Sequence, residues 1–126
     1  MNILVVEDDP IGAELMRAVL CEYLGHTLVG PVALVGEALV AEALALIEHS
    51  PPDCAVLNVN LGDRVLVTPV ADRLEELSVP FIFVTGNRNP LFPFERFRDH
   101  PVLDKPYNMV DLIRLVEEMK RDARDA

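Results

Sequence analysis

Residues Asp53 to Asp63 read DCAVLNVNLGD, and the fold turns on this stretch. Ala55-Val56-Leu57 is a short apolar run with a turn signal behind it at Leu61-Gly62-Asp63, the pattern of a buried strand. A strand covered on both faces belongs to a parallel sheet, and such a strand delivers its last residue to the edge where ligands and chemistry gather. Here that residue is Asn58, an amide that is no nucleophile and carries no charge.

Outward from this strand the chain alternates. Asn2 to Val6 is a β-rich run ending in Glu7-Asp8-Asp9, and Asp9 with Pro10 forms a helix start. That helix runs to about Leu24 with Ile11, Leu15 and Val19 on one stripe, and Gly25 stops it. Thr27 to Gly30 reads as a short strand, and Val35 to His49 as an Ala/Leu/Glu-rich helix ended by Ser50-Pro51-Pro52. Thr68-Pro69 opens a further helix to about Leu77. Phe81 to Thr85 is an apolar strand, followed by a Gly/Asn/Pro-rich loop from 86 to 93 and a short helix around Phe94 to Arg98. Val102-Leu103 is the last strand, and Asn108 caps a final helix with Met109, Leu112, Ile113, Val116 and Met119 on one face and Asp111 at the capping-box position. Five rounds of strand and helix, with right-handed crossovers, predict a doubly wound parallel α/β sandwich.

Composition narrows the function classes. A chain of 126 residues with 51% hydrophobic residues is expected to form one domain, 1–126, with no output domain. No apolar run reaches the ~20 residues of a membrane span, and no signal peptide precedes the first strand, so the expected compartment is the cytoplasm. The net charge of −10 argues against nucleic acid and anionic membrane as partners. Cys21 and Cys54 read as free buried thiols, and His26, His49 and His100 as solvated side chains. Phe92, Phe94 and Phe97 read as local packing under a loop rather than a partner-binding patch.

The strand ends gather Glu7, Asp8 and Asp9, then Asn58 and Asn60, then Thr85 and Gly86, then Lys105-Pro106. Each has a physical reason to be there if the site handles a phosphoryl group on a carboxylate. Acids hold a hard cation, the cation neutralises phosphoryl oxygens, and a Thr hydroxyl and a Lys ammonium bind the remaining ones. The stretches ILVVEDDP, DCAVLNVNLG, PFIFVTGN and VLDKPY, in this order, resemble a response-regulator receiver domain of two-component, phosphorelay signalling, across essentially the whole chain. PFIFVTG further resembles a receiver subfamily with PFxFATG at this strand, many of them standalone single-domain regulators; Val84 and Asn87 depart from it.

The resemblance implies the flavodoxin-like receiver fold, a five-stranded parallel sheet of order 2-1-3-4-5. It implies a signalling module rather than an enzyme, with a histidine kinase or another signalling protein as partner and a homodimer as a further option. It implies a metal pocket in which Asp8 is the direct ligand, Glu7 acts partly through water, and Asn60 lends its backbone carbonyl. Thr85 is then the switch hydroxyl and Lys105 the phosphoryl-sensing lysine, joined to Pro106 by a cis peptide. Val102 stands where many receivers carry a rotating aromatic.

Asn58 stands where the family has its phosphoaccepting Asp. Asp53 lies about 15 Å away at the other end of the strand, and Asp63 has no strand to aim it. Without the acceptor the site keeps Glu7, Asp8, Asn58 and Asn60 as a weakened Mg²⁺ set, and Lys105 is expected to pair with Asp8. The expected result is an atypical receiver, frozen in one conformation or poised by something other than phosphate. Two alternatives stand beside it. One is a conventional receiver in which Asn58 is an engineered or sequence change from Asp. The other, poorer one is a metal-dependent phosphoryl-handling enzyme on a similar sheet.

Overall fold

The strands of this chain are apolar on both faces because each face meets a different helical layer. A computed structural model of the protein describes residues 1–30, 34–86 and 88–125, with side chains through residue 122. It contains β1 (Asn2–Val6), α1 (Pro10–Arg17), a π-helical segment (Ala18–Tyr23), β2 (Thr27–Val29), α2 (Gly36–His49) and β3 (Cys54–Asn58). Then follow α3 (Thr68–Glu76), β4 (Phe81–Thr85), a 3₁₀ turn (Phe94–Phe97), β5 (Val102–Asp104) and α4 (Met109–Asp125). The five strands form one parallel sheet of order β2-β1-β3-β4-β5. This is the expected topology.

Alternation along each strand divides the core in two. Leu4, Val6, Ala55, Leu57, Phe81 and Phe83 point to the layer made by α2, α3 and the 3₁₀ turn. Ile3, Val5, Cys54, Val56, Ile82 and Val84 point to α1 and α4. Phe92 and Phe97 are buried with Phe81 and Phe83 in a ladder of edge-on ring contacts, so the Phe-rich segment is packing, as read from sequence. Val102 packs against the same cluster.

The helix caps follow the sequence at two places and depart at one. Ile11 N donates to Asp9 Oδ1 at 3.2 Å and Val110 N to Asn108 Oδ1 at 2.8 Å. Thr68, by contrast, is already the first residue of α3 and makes no side-chain cap.

The stripe expected on α1 is a correction. Ile11 is 80% exposed and Leu15 is 50% exposed, whereas Ala13, Met16 and Leu20 are buried. Two near-parallel apolar stripes run along this helix, and periodicity alone does not choose between them. The choice is made by Gly12, which turns toward the sheet edge: a Cβ there would lie 2.9 Å from Glu7 Oε1. With Gly12 against Glu7, Ala13 and Met16 face the sheet and Ile11 faces solvent.

Candidate functional site at the carboxyl edge of the sheet

Glu7 follows β1 and is buried to 2% exposure. Its Oε1 accepts from Lys105 Nζ at 3.0 Å, and its Oε2 accepts from the Asp8 backbone N–H at 3.1 Å. Burial pushes the Glu7 carboxyl above the usual range; the Lys105 hydrogen bond and charge oppose this, and Asp8 reinforces it. The expected Lys105–Asp8 pair is therefore not formed. Lys105 reaches Glu7 because the Glu7 carboxylate is desolvated and needs a counter-charge, while Asp8 already has a donor.

That donor is Asn58. Its side-chain Nδ2 donates to Asp8 Oδ1 at 2.8 Å and to the Asn60 backbone carbonyl at 2.7 Å. The side chain is 6% exposed, so both bonds lie at the floor of the site. Asn60 continues the chain of amides: its Oδ1 accepts from Asn89 Nδ2 at 3.2 Å, and Asn89 Oδ1 accepts from Leu91 N at 2.8 Å. Thr85, fully buried, ends β4 next to this group, and its carbonyl accepts from Lys105 N at 2.7 Å. The Lys105–Pro106 peptide is cis.

The sheet thus brings Glu7, Asp8, Asn58, Asn60, Thr85 and Lys105 to one edge. Asp53 is elsewhere, accepting from Asn2 N at 2.7 Å at the opposite end of β3. Asp63 sits exposed in the loop at φ 52. Asn87 lies outside the described residues. Sequence reasoning missed Gly12 and Asn89. A glycine inside an amphipathic helix is the available signal for the first, and an Asn-Pro turn after β4 for the second.

The donor set does not suit a resident dication as it stands. Octahedral Mg²⁺ takes oxygens at about 2.0–2.1 Å, and an ion shared by Asp8 and the Asn60 carbonyl would have to displace the NH₂ group that both oxygens already accept. Glu7 is neutralised by Lys105. Among the described residues no three His, Cys, Asp or Glu side chains group as metal ligands.

Beside this floor opens a cleft of about 450 Å³ lined by Glu7, Gly12, Leu15, Lys105, Tyr107 and Met109 among others. Two histidines are corrections. His26 is buried, with Nδ1 3.2 Å from the Met1 amine and burial lowering its basicity. His100 stacks on Phe81 at 3.8 Å, and its Nε2 lies 2.9 Å from Glu75 Oε1. For His100 the aromatic stack outweighs the solvation that its loop position suggested.

Solved structures share this arrangement of strands. No family model matches the chain. The positive alginate biosynthesis regulatory protein of Pseudomonas aeruginosa is 29% identical over 98% of the chain, which spans 49% of that protein. Among solved structures, SdrG from Sphingomonas melonis Fr1 is 39% identical, with 94% of this chain and 95% of that one covered and a TM-score of 0.77. The N-terminal domain of a response regulator/sensory box/GGDEF protein from Carboxydothermus hydrogenoformans is 26% identical over 99% of this chain and 98% of that one, at a TM-score of 0.73. The chain belongs to the response-regulator receiver domains. Within these receivers, the BeF3-activated conformation of SdrG overlays less closely, at a TM-score of 0.66 with 92% of each chain covered and the same 39% identity. The receiver neighbours are signalling modules rather than classical enzymes. No helix among the described residues is long and apolar enough to cross a membrane.

Proposed function

We propose that this receiver works through protein–protein contacts without accepting a phosphoryl group at the usual position. The observation that carries the reading is Asn58 at the end of β3, its NH₂ held by Asp8 and the Asn60 carbonyl. An amide nitrogen conjugated with its carbonyl has no lone pair to offer phosphorus, and here its two N–H groups are both engaged. The other carboxylates are poor substitutes. Glu7 is ion-paired under Lys105, Asp8 is hydrogen-bonded to Asn58, and Asp53 lies at the far end of the strand.

Thr85 and Lys105 take the positions of the switch hydroxyl and the phosphoryl-sensing lysine, with Lys105 held by Glu7 in place of phosphate. The overlay is closer on SdrG than on its BeF3-activated form, in keeping with an unactivated arrangement of this chain. For contacts, the exposed Leu15 of α1 lines the cleft, and Ile11 on the same helix and Val110 at the start of α4 are also exposed. Exposed apolar side chains grouped beside a cleft suit a protein partner of the signalling class, such as a histidine kinase, or a second copy of the chain. The reading makes the protein a cytoplasmic signalling module.

The test is intact-mass spectrometry after incubation with acetyl phosphate and Mg²⁺. The mass is expected to stay unchanged. A hydroxylamine-labile gain of one phosphoryl group would overturn the reading and point to a carboxylate elsewhere in the chain.

A further inference from the structure

We infer that the Asn58 amide is a built-in substitute for the divalent cation, and that with Asp8 it closes an amide latch holding the segment from Asn89 to Phe92 in place without metal. The inference rests on the proposal above that Asn58 stands at the acceptor position. It concerns what the residue does there rather than what it fails to do.

Two oxygens converge on the floor of the site, the carboxylate of Asp8 and the carbonyl of Asn60. Acceptor groups brought this close repel one another unless something positive lies between them. The Asn58 NH₂ supplies it, with one N–H to each oxygen at 2.8 and 2.7 Å. The bond to Asp8 is charge-assisted and so the stronger kind. The orientation of the amide is set by this arrangement. Turned over, Asn58 would place its own oxygen against the other two, and three acceptors would then face one another with no donor. Only a cation would favour that arrangement. The side chain therefore has one orientation that suits a metal-free site and another that suits a metal-bound one, and the structure holds the first.

The latch extends beyond the floor. Asn60 accepts Asn58 on its backbone oxygen and Asn89 on its side-chain oxygen, so one residue ties the end of β3 to the segment after β4. Asn89 then holds that segment twice: its Oδ1 takes Leu91 N at 2.8 Å, and its backbone oxygen takes Phe92 N at 3.0 Å. Phe92 is buried in the core, while Leu91 between these bonds is 82% exposed. The segment from Asn89 to Phe92 is fixed from below by packing and from the side by amides, and it presents Leu91 in a constant position. Every bond in this chain is made by an uncharged amide or by Asp8, so no step calls for an ion.

The experiment follows the Asn58 side-chain NH₂ resonances by ¹H–¹⁵N NMR on the wild-type chain during addition of MgCl₂ at constant ionic strength, with no phosphodonor present. Both protons are expected to exchange slowly and to remain unmoved at millimolar Mg²⁺. Saturable movement of these resonances would overturn the inference, because the ion would then have displaced the amide. In the same spectra, Asn89→Ala is expected to accelerate exchange of the Leu91 amide about fivefold to tenfold, the effect of one lost hydrogen bond, while the Asn58 NH₂ signals stay in place. Unchanged Leu91 exchange would overturn the latch. Since no phosphodonor is used, a metal response here leaves the mass test of the proposed function standing, and a phosphoryl gain there leaves this result standing.

Discussion

At the scale of single residues, burial decides the chemistry of each polar group. Cys54 is fully buried between β1 and β4, and desolvation, helped by the charge of Asp53, pushes its thiol up to about 12. In the unfolded chain a thiol ionises near its ordinary value of about 8.5. Above that pH the unfolded chain binds fewer protons than the folded one, so stability falls as pH rises from there through the folded value. One such group contributes a slope of at most about 1.4 kcal/mol per pH unit. Cys54→Ala is expected to be less stable at neutral pH, where a core side chain is shortened, and to lose stability less steeply between about pH 9 and 11. Parallel pH profiles for the two proteins, measured by thermal unfolding, would contradict this. Asn58 and Glu7 follow the same logic. Buried polar groups must be paired, and the edge of this sheet pairs them with one another.

At the scale of elements, α1 shows where sequence periodicity ends. Ile11, Leu15 and Val19 and the alternative Ala13, Met16 and Leu20 are both apolar stripes, and only the second is consistently buried. Met16→Ala is expected to cost about 2–5 kcal/mol in urea unfolding, the usual range for emptying a core position. Ile11→Gln and Leu15→Gln are expected to stay within about 0.5 kcal/mol of the parent, as surface substitutions do. A loss of several kcal/mol at Ile11 would mean that this face is covered after all. The strands were legible from the start because Ala55-Val56-Leu57 and Phe81 to Thr85 have no polar alternation, a pattern that only a sheet covered on both faces tolerates. The order of strands and the cis Lys105–Pro106 peptide were legible through family resemblance, not periodicity. The partner of Lys105 was not. It depends on Gly12 leaving space for Glu7, on the Asn58 amide reaching Asp8 across 50 positions of sequence, and on Lys105 meeting Glu7 across 98. The packing of His100 on Phe81 was hidden for the same reason.

At the scale of the whole molecule, two apolar layers clamp a sheet whose functional edge is a small, internally satisfied polar cluster. Surface ion pairs add little to that frame. Arg73 joins Glu48 of α2 to Glu76 of its own helix at exposed positions, where such pairs are worth about 0–1 kcal/mol. The edge is where a single atom matters, because replacing the Asn58 nitrogen by oxygen turns a donor into an acceptor at the meeting point of Asp8 and Asn60. Asn58→Asp forfeits two donated hydrogen bonds and sets a second carboxylate against Asp8. The expected cost without metal is about 1–3 kcal/mol, or several degrees in a domain of this size. Millimolar Mg²⁺ should restore it, since an ion that binds only the folded state stabilises by mass action. The decisive measurement is thermal unfolding of the wild type and Asn58→Asp, each in EDTA and in Mg²⁺. The wild type is expected to be indifferent to Mg²⁺, and the variant to melt several degrees lower in EDTA and to recover in Mg²⁺. A variant as stable as the wild type in EDTA and equally indifferent to Mg²⁺ would contradict it, because Glu7, Asp8 and residue 58 would then not share a pocket built for a carboxylate.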